Sequence, residues 1–143
     1  MKSLILLLSL ICLKTPKIDF KVQQDSCTKH YDETIHSFVY SYVDQMPEFP
    51  GGPSKFYSYL FKNLKFSPDT TKSWQSRVPT TFFIDTLGNI INISIDNKVP
   101  KDYTSLDLGF IEVLKKCPKW KPAKCNGKKV VFRYRINPII EPN

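Results

Sequence analysis

The chain has 143 residues, 41% of them hydrophobic and 24% charged, and carries a formal charge of +8. That is the make-up of one ordinary globular domain with an adequate core, and it excludes a disordered chain. The surplus charge is uneven: residues 115–135 hold nine basic side chains and no acid. Such a face can meet nucleic acid, anionic lipid or acidic protein segments, or it can simply keep a small protein soluble.

From the N-terminus, Met1-Lys2-Ser3 precedes an apolar run over residues 4–13. At ~1.5 Å rise per residue the run covers about half of a ~30 Å hydrocarbon core, so it has the length of a signal-peptide core and not of a span. Cys12 invites a lipoprotein reading, but Ile11 stands where a small residue is expected. The expected division is a signal peptide or short hydrophobic segment over 1–18, a linker over 19–36 and one folded domain over 37–143. Within the linker, Cys27-x-x-His30 with His36 is the only grouping of metal-ligand types. Its uneven spacing matches no zinc module, so no metal is expected.

Residues 37–43 are rich in β-formers and read as a short strand. Pro47-Glu48-Phe49-Pro50-Gly51-Gly52 then forms a stiff corner with one apolar plug, Phe49, because proline fixes φ and lacks a donor. Pro53 suits a first helical position, and Phe56, Leu60 and Leu64 recur every four residues along the helix that follows. Val78, Thr80, Phe82 and Ile84 alternate as a strand ending at Asp85. Gly88 supplies the turn, and Ile91, Ile93 and Ile95 line one face of the returning strand. Thr104 or Ser105 caps a second helix with Leu106, Phe110, Val113, Leu114 and Cys117 inside, and Gly109 marks close packing on the sheet. Pro118, Trp120 and Pro122 make a second corner. The last strand covers Val130, Val131, Phe132, Arg133, Tyr134, Arg135 and Ile136.

The expected architecture is α+β, with two helices packed on one face of a three-stranded antiparallel sheet. The last strand most simply lies beside the first hairpin strand and forms an edge, where unpaired backbone groups can receive an incoming segment. Cys117 and Cys125 flank the second corner. A bridge between them is sterically open in an oxidising compartment, as is a pair of unpaired thiols, with Cys27 left free or bridging another chain. No nucleophile–base pair, phosphate loop, dinucleotide fingerprint or C-x-x-C is present, so the chain reads as a non-enzyme without a cofactor. Trp120, Phe132 and Tyr134 interleave with Lys and Arg as in single-strand platforms. The alternative is that they anchor the core, and no nucleic-acid partner is expected.

A family resemblance runs over residues 43–140. Glu48-Phe49-Pro50-Gly51-Gly52, Leu60, Asn63, Leu64, Phe66, Phe82-Phe83-Ile84-Asp85, Gly88, Ile90, Leu106-Asp107, Pro118-Lys119-Trp120-Lys121-Pro122, Gly127 and Pro138 follow in an order that resembles the C-terminal domain of TonB-type proteins, closest to the Bacteroidetes form. The resemblance implies a periplasmic or envelope-associated domain. Its last strand, here residues 130–136, would pair with a short outer-membrane transporter peptide, the TonB box, or with another envelope protein. With a short apolar run and only Pro16 as proline between residues 13 and 43, the expected form is a stand-alone exported domain. A membrane-retained transducer working with inner-membrane motor partners, and a domain that pairs with itself as a homodimer, are the alternatives.

Overall fold

The computed structural model describes residues 27–66 and 76–140. The leader over 1–18, with Cys12, lies outside the described residues. In chain order these contain β1 (Thr28–Asp32), β2 (Ser37–Tyr42), α1 (Gly52–Asn63), β3 (Ser76–Arg77), β4 (Thr80–Ile84), β5 (Ile90–Ile95), α2 (Ser105–Lys115), β6 (Lys124–Cys125), β7 (Lys128–Lys129), β8 (Phe132–Ile136) and β9 (Ile139–Ile140). The main sheet is five-stranded in the order β1-β2-β8-β4-β5. The α+β class with two helices therefore holds. The sheet, however, is mixed and wider than the expected three antiparallel strands, because β2 joins β8 in parallel and brings β1 with it.

Alternation decides which face each strand buries. Phe82, Ile84, Ile95 and Ile136 point to the helices and meet Phe56, Leu60, Leu106, Phe110 and Leu114 in one core. A second, smaller cluster joins Val43, Ala123, Cys125, Val130 and Phe132. The isoleucines of β5 do not all share a face, as strict alternation had required. A bulge opposite Phe82 shifts the register, with Asn92 in the left-handed region at φ 46°, so Ile90, Ile93 and Ile95 face the core while Ile91 lies opposite Phe83. Bulges of this kind bend and twist an outer strand. Pro79 does not interrupt a strand: it sits between β3 and β4, and its carbonyl accepts from Asp96 N at 2.7 Å.

Gly109 does mark a close approach, but not to the sheet. A Cβ there would lie 2.5 Å from the Lys65 carbonyl oxygen, so the glycine lets α2 pass over the chain leaving α1. The start of α2 is fixed by a reciprocal cap: Asp107 N donates to Thr104 Oγ1 at 3.2 Å, and Thr104 N donates to Asp107 Oδ2 at 2.8 Å. Lys98 Nζ adds a contact of 2.6 Å to the same carboxylate, which is almost fully buried. Burial opposes the charge on Asp107, but the Lys98 ammonium and the Thr104 donors outweigh it and hold the carboxyl below its ordinary value. A depressed carboxylate adds stability above its unfolded value, about 3.9, and loses it as the pH falls through the lower folded value. Asp107→Asn is therefore expected to cost about 1–2 kcal/mol at neutral pH. Its urea midpoint should also vary less with pH below about 4 than that of the wild type.

The linker expected over 19–36 ends sooner than its composition suggests. Residues 28–32 form β1, paired antiparallel to β2 across a turn at 33–36. The apolar alternation that signals a strand is missing there because most of β1 is exposed on both faces. Its order comes from the partner strand and from a disulfide.

Candidate partner-binding rims of the sheet

The two proline-rich corners meet. Glu48 N donates to the Lys121 carbonyl at 3.0 Å, and Lys121 N returns a bond to the Glu48 carbonyl at 2.8 Å. Phe49 is the plug expected of it: its ring stands 5.5 Å from Trp120, 5.4 Å from Phe56 and 5.7 Å from Tyr59. Trp120 N donates to the Gly88 carbonyl at 2.8 Å, bringing the β4–β5 turn into the same joint. Asp85 shapes that turn by accepting from Leu87 N and Asn89 N, both at 2.8 Å. Burial raises the Asp85 carboxyl, but the Asn89, Leu87 and Gly88 donors prevail and hold it below its ordinary value. Pro47, Gly51 at φ 84°, Gly52 as the first residue of α1, and the flanking Pro50, Pro118 and Pro122 complete a rigid joint.

The expected docking strand lies elsewhere than expected. Regular pairing covers only Phe132–Ile136, and β8 lies third of five in the sheet, paired with β4 along its whole length and with β2 at the one pair Tyr40–Phe132. Val130 instead belongs to the second cluster, and its N–H donates to the Ala123 carbonyl at 3.0 Å, while the Val131 carbonyl accepts from Tyr40 N at 2.9 Å. Arg133 and Arg135 are exposed on the sheet face away from the helices, where Arg135 Nε pairs with Asp96 Oδ2 at 2.6 Å. Phe132 and Trp120 are buried and Tyr134 is half-buried, its phenol pushed above its ordinary value by burial and the nearby Tyr57. The aromatic–basic interleaving of the sequence is therefore a core of rings with charges on the other face.

The cysteine pairing also differs. Cys27 and Cys125 form the disulfide, with Cα atoms 6.1 Å apart, and Cys117 is free. Cys117 faces the Trp120 indole, while the Gln45–Lys124 bridge and the bond from Asn126 N to Asp44 Oδ2 hold Cys125 beside Cys27. Burial pushes the Cys117 thiol up to about 12. Such a thiol is a poor nucleophile at neutral pH. Cys27 is thus unavailable to a metal, and His30 and His36 are exposed on the β1–β2 hairpin. Asp44 lies within ligand distance of Cys27 and Cys125, but both sulfurs are committed to each other.

The rims of the sheet are β1 and β5. The β1 rim carries Lys29, a charge that deters pairing. Residues 90–95 of β5 carry no charge at all and are backed by α2. The far end of this rim is closed by its own chain: Ile95 N donates to Tyr103 Oη at 3.3 Å, and the Ile95 carbonyl accepts from Lys98 N at 3.4 Å. Along Ile90 to Ile93 no strand among the described residues pairs with the outer side, and the Asn92 side chain in this stretch donates to Thr34 Oγ1 at 2.8 Å. The signal for it was legible as an uncharged isoleucine-rich strand. Its position at the rim was not, because that depends on which neighbour β8 takes. No family model matches this sequence, and neither a curated protein nor a solved structure matches it.

Proposed function

We propose that this chain is an exported cell-envelope domain of the TonB C-terminal type. It holds an extended segment of an outer-membrane transporter or another envelope protein by strand addition, at the β5 rim and not at β8. The uncharged rim of β5, without a strand partner among the described residues and stiffened by α2, carries the reading. In this mode backbone bonds supply affinity, and alternate side chains of the incoming segment supply selectivity. The joint at Phe49, Gly88 and Trp120 supports it by holding one end of β5 rigid.

Photo-crosslinking in the native envelope tests the proposal. A photoreactive residue at Leu87 or Ser94, both exposed and flanking the rim, is expected to trap an outer-membrane protein, while the same residue at His30 on β1 traps none. Adducts from His30 alone would overturn the assignment of the rim. Adducts with a second copy of the chain would make β5 a surface for self-association.

A further inference from the structure

One face of the β1–β2 hairpin carries a stripe that the strand-addition reading does not use. Lys29, Tyr31, Phe38 and Tyr42 stand along it, with Tyr31, Phe38 and Tyr42 exposed at 47%, 55% and 63%. Tyr31 and Phe38 meet edge to face at 5.4 Å, and the Lys29 ammonium lies 5.2 Å from the centre of the Phe38 ring. Three large rings exposed along one hairpin exceed what a surface strand needs for its own stability.

The hairpin is held at both ends. At the turn, Asn92 Nδ2 on β5 donates to Thr34 Oγ1 at 2.8 Å, and Asp32 is drawn to Arg133. At the base, the Cys27–Cys125 bridge, the bond from Asn126 N to Asp44 Oδ2 at 3.0 Å and the Gln45–Lys124 bridge tie Tyr42 to the β6–β7 hairpin. That second hairpin presents Lys128 and Lys129, both exposed, beside Lys124. None of the three lysines has an ion-pair partner among the described residues. The acids of this region are Asp32 and the exposed Glu33 at the turn end of the hairpin, and Asp44 at its base, which accepts from Asn126 N.

We propose that this aromatic stripe with its lysine tip is a docking surface for an anionic lipid bilayer. Aromatic rings with polar tips sit at the headgroup level, and lysines reach anionic headgroups from their flexible stems. The stripe runs along the hairpin, with Lys124, Lys128 and Lys129 at its base end. The excess of basic over acidic side chains in the chain complements an anionic surface. The disulfide ties the hairpin that carries the rings to the hairpin that carries the lysines.

The test is tryptophan quenching by brominated lipid in the full-length chain, with signals from Trp74 and Trp120 subtracted. Phe38→Trp is expected to lose about half its emission on vesicles of brominated phosphatidylglycerol and phosphatidylcholine, the depth expected of an interfacial ring. Leu108→Trp, exposed on α2 in the helix layer, keeps its emission. Replacing Lys128 and Lys129 together by Gln weakens the quenching-competent docking by about 25-fold, about fivefold per lysine near an anionic surface. Tyr42→Trp repeats the measurement at the other end of the stripe if the first reporter perturbs the hairpin. Equal emission at positions 38 and 108, or equal quenching on purely zwitterionic vesicles, would overturn the proposal. Protection of position 38 by a soluble acidic peptide in place of lipid would overturn it too. None of these outcomes depends on whether β5 binds a strand.

Discussion

Replacing Cys27 or Cys125 by Ser is expected to cost this domain about 4.7 kcal/mol, the chain-entropy value for a loop of this size. The two cysteines are separated by 98 residues, so the bridge closes nearly the whole folded chain. For a domain of this length the loss corresponds to a fall in melting temperature of about 15–25 °C. Thermal unfolding with and without reductant measures it. Cys117→Ala is the control and should change stability by about 1 kcal/mol or less, since its thiol makes no bridge. The size of the effect also reports how the domain unfolds. The hairpin buries little besides Val39 and half of Tyr40, and meets β8 in register at a single pair. If it detaches before the main core melts, the measured loss shrinks, and amide exchange at Val39 and Tyr40 speeds up well before that at Phe82. The cooperative outcome would show one transition with all three amides exchanging together.

Gly88→Ala is expected to destabilise by about 3–4 kcal/mol, more than a left-handed backbone position explains by itself. Gly88 has φ 85°, and a Cβ there would stand 1.9 Å from the Trp120 carbonyl oxygen and 2.9 Å from its carbon. Those are backbone atoms of the second corner, which cannot move without breaking the bond from Trp120 N to the Gly88 carbonyl. Gly127 separates the two contributions: it has φ 77°, but a Cβ added there meets nothing within 4 Å. Gly127→Ala should therefore cost only about 1–2 kcal/mol. Urea unfolding of the two variants makes the comparison. Equal losses would mean that the turn conformation, and not the close approach of the corner, is what the glycine serves. Because the joint holds one end of β5, Gly88→Ala is also expected to weaken crosslinking from Ser94, while Gly127→Ala leaves it unchanged.

Local features of the chain were legible without coordinates. The periodic apolar residues placed α1 and α2, Thr104 capped α2, Gly88 turned the β4–β5 hairpin, and Phe49 plugged its corner. Each of these rests on interactions within a few residues or on steric limits of single residue types, so the amino-acid order alone determines them. Four features were decided by contacts between distant segments. Strand β8 went to the centre because β2, far away in the chain, paired with it. Cys125 bridged to Cys27 because the Gln45–Lys124 bridge and the Asn126–Asp44 bond brought the β6–β7 hairpin beside the start of β1. Gly109 faced Lys65 instead of the sheet, and the isoleucines of β5 split across both faces at the Asn92 bulge. Periodicity records which side of an element is apolar but carries no information on which neighbour covers it. That choice is made only when loop closure brings remote segments together, which is why the rim open to partners emerged from the tertiary structure.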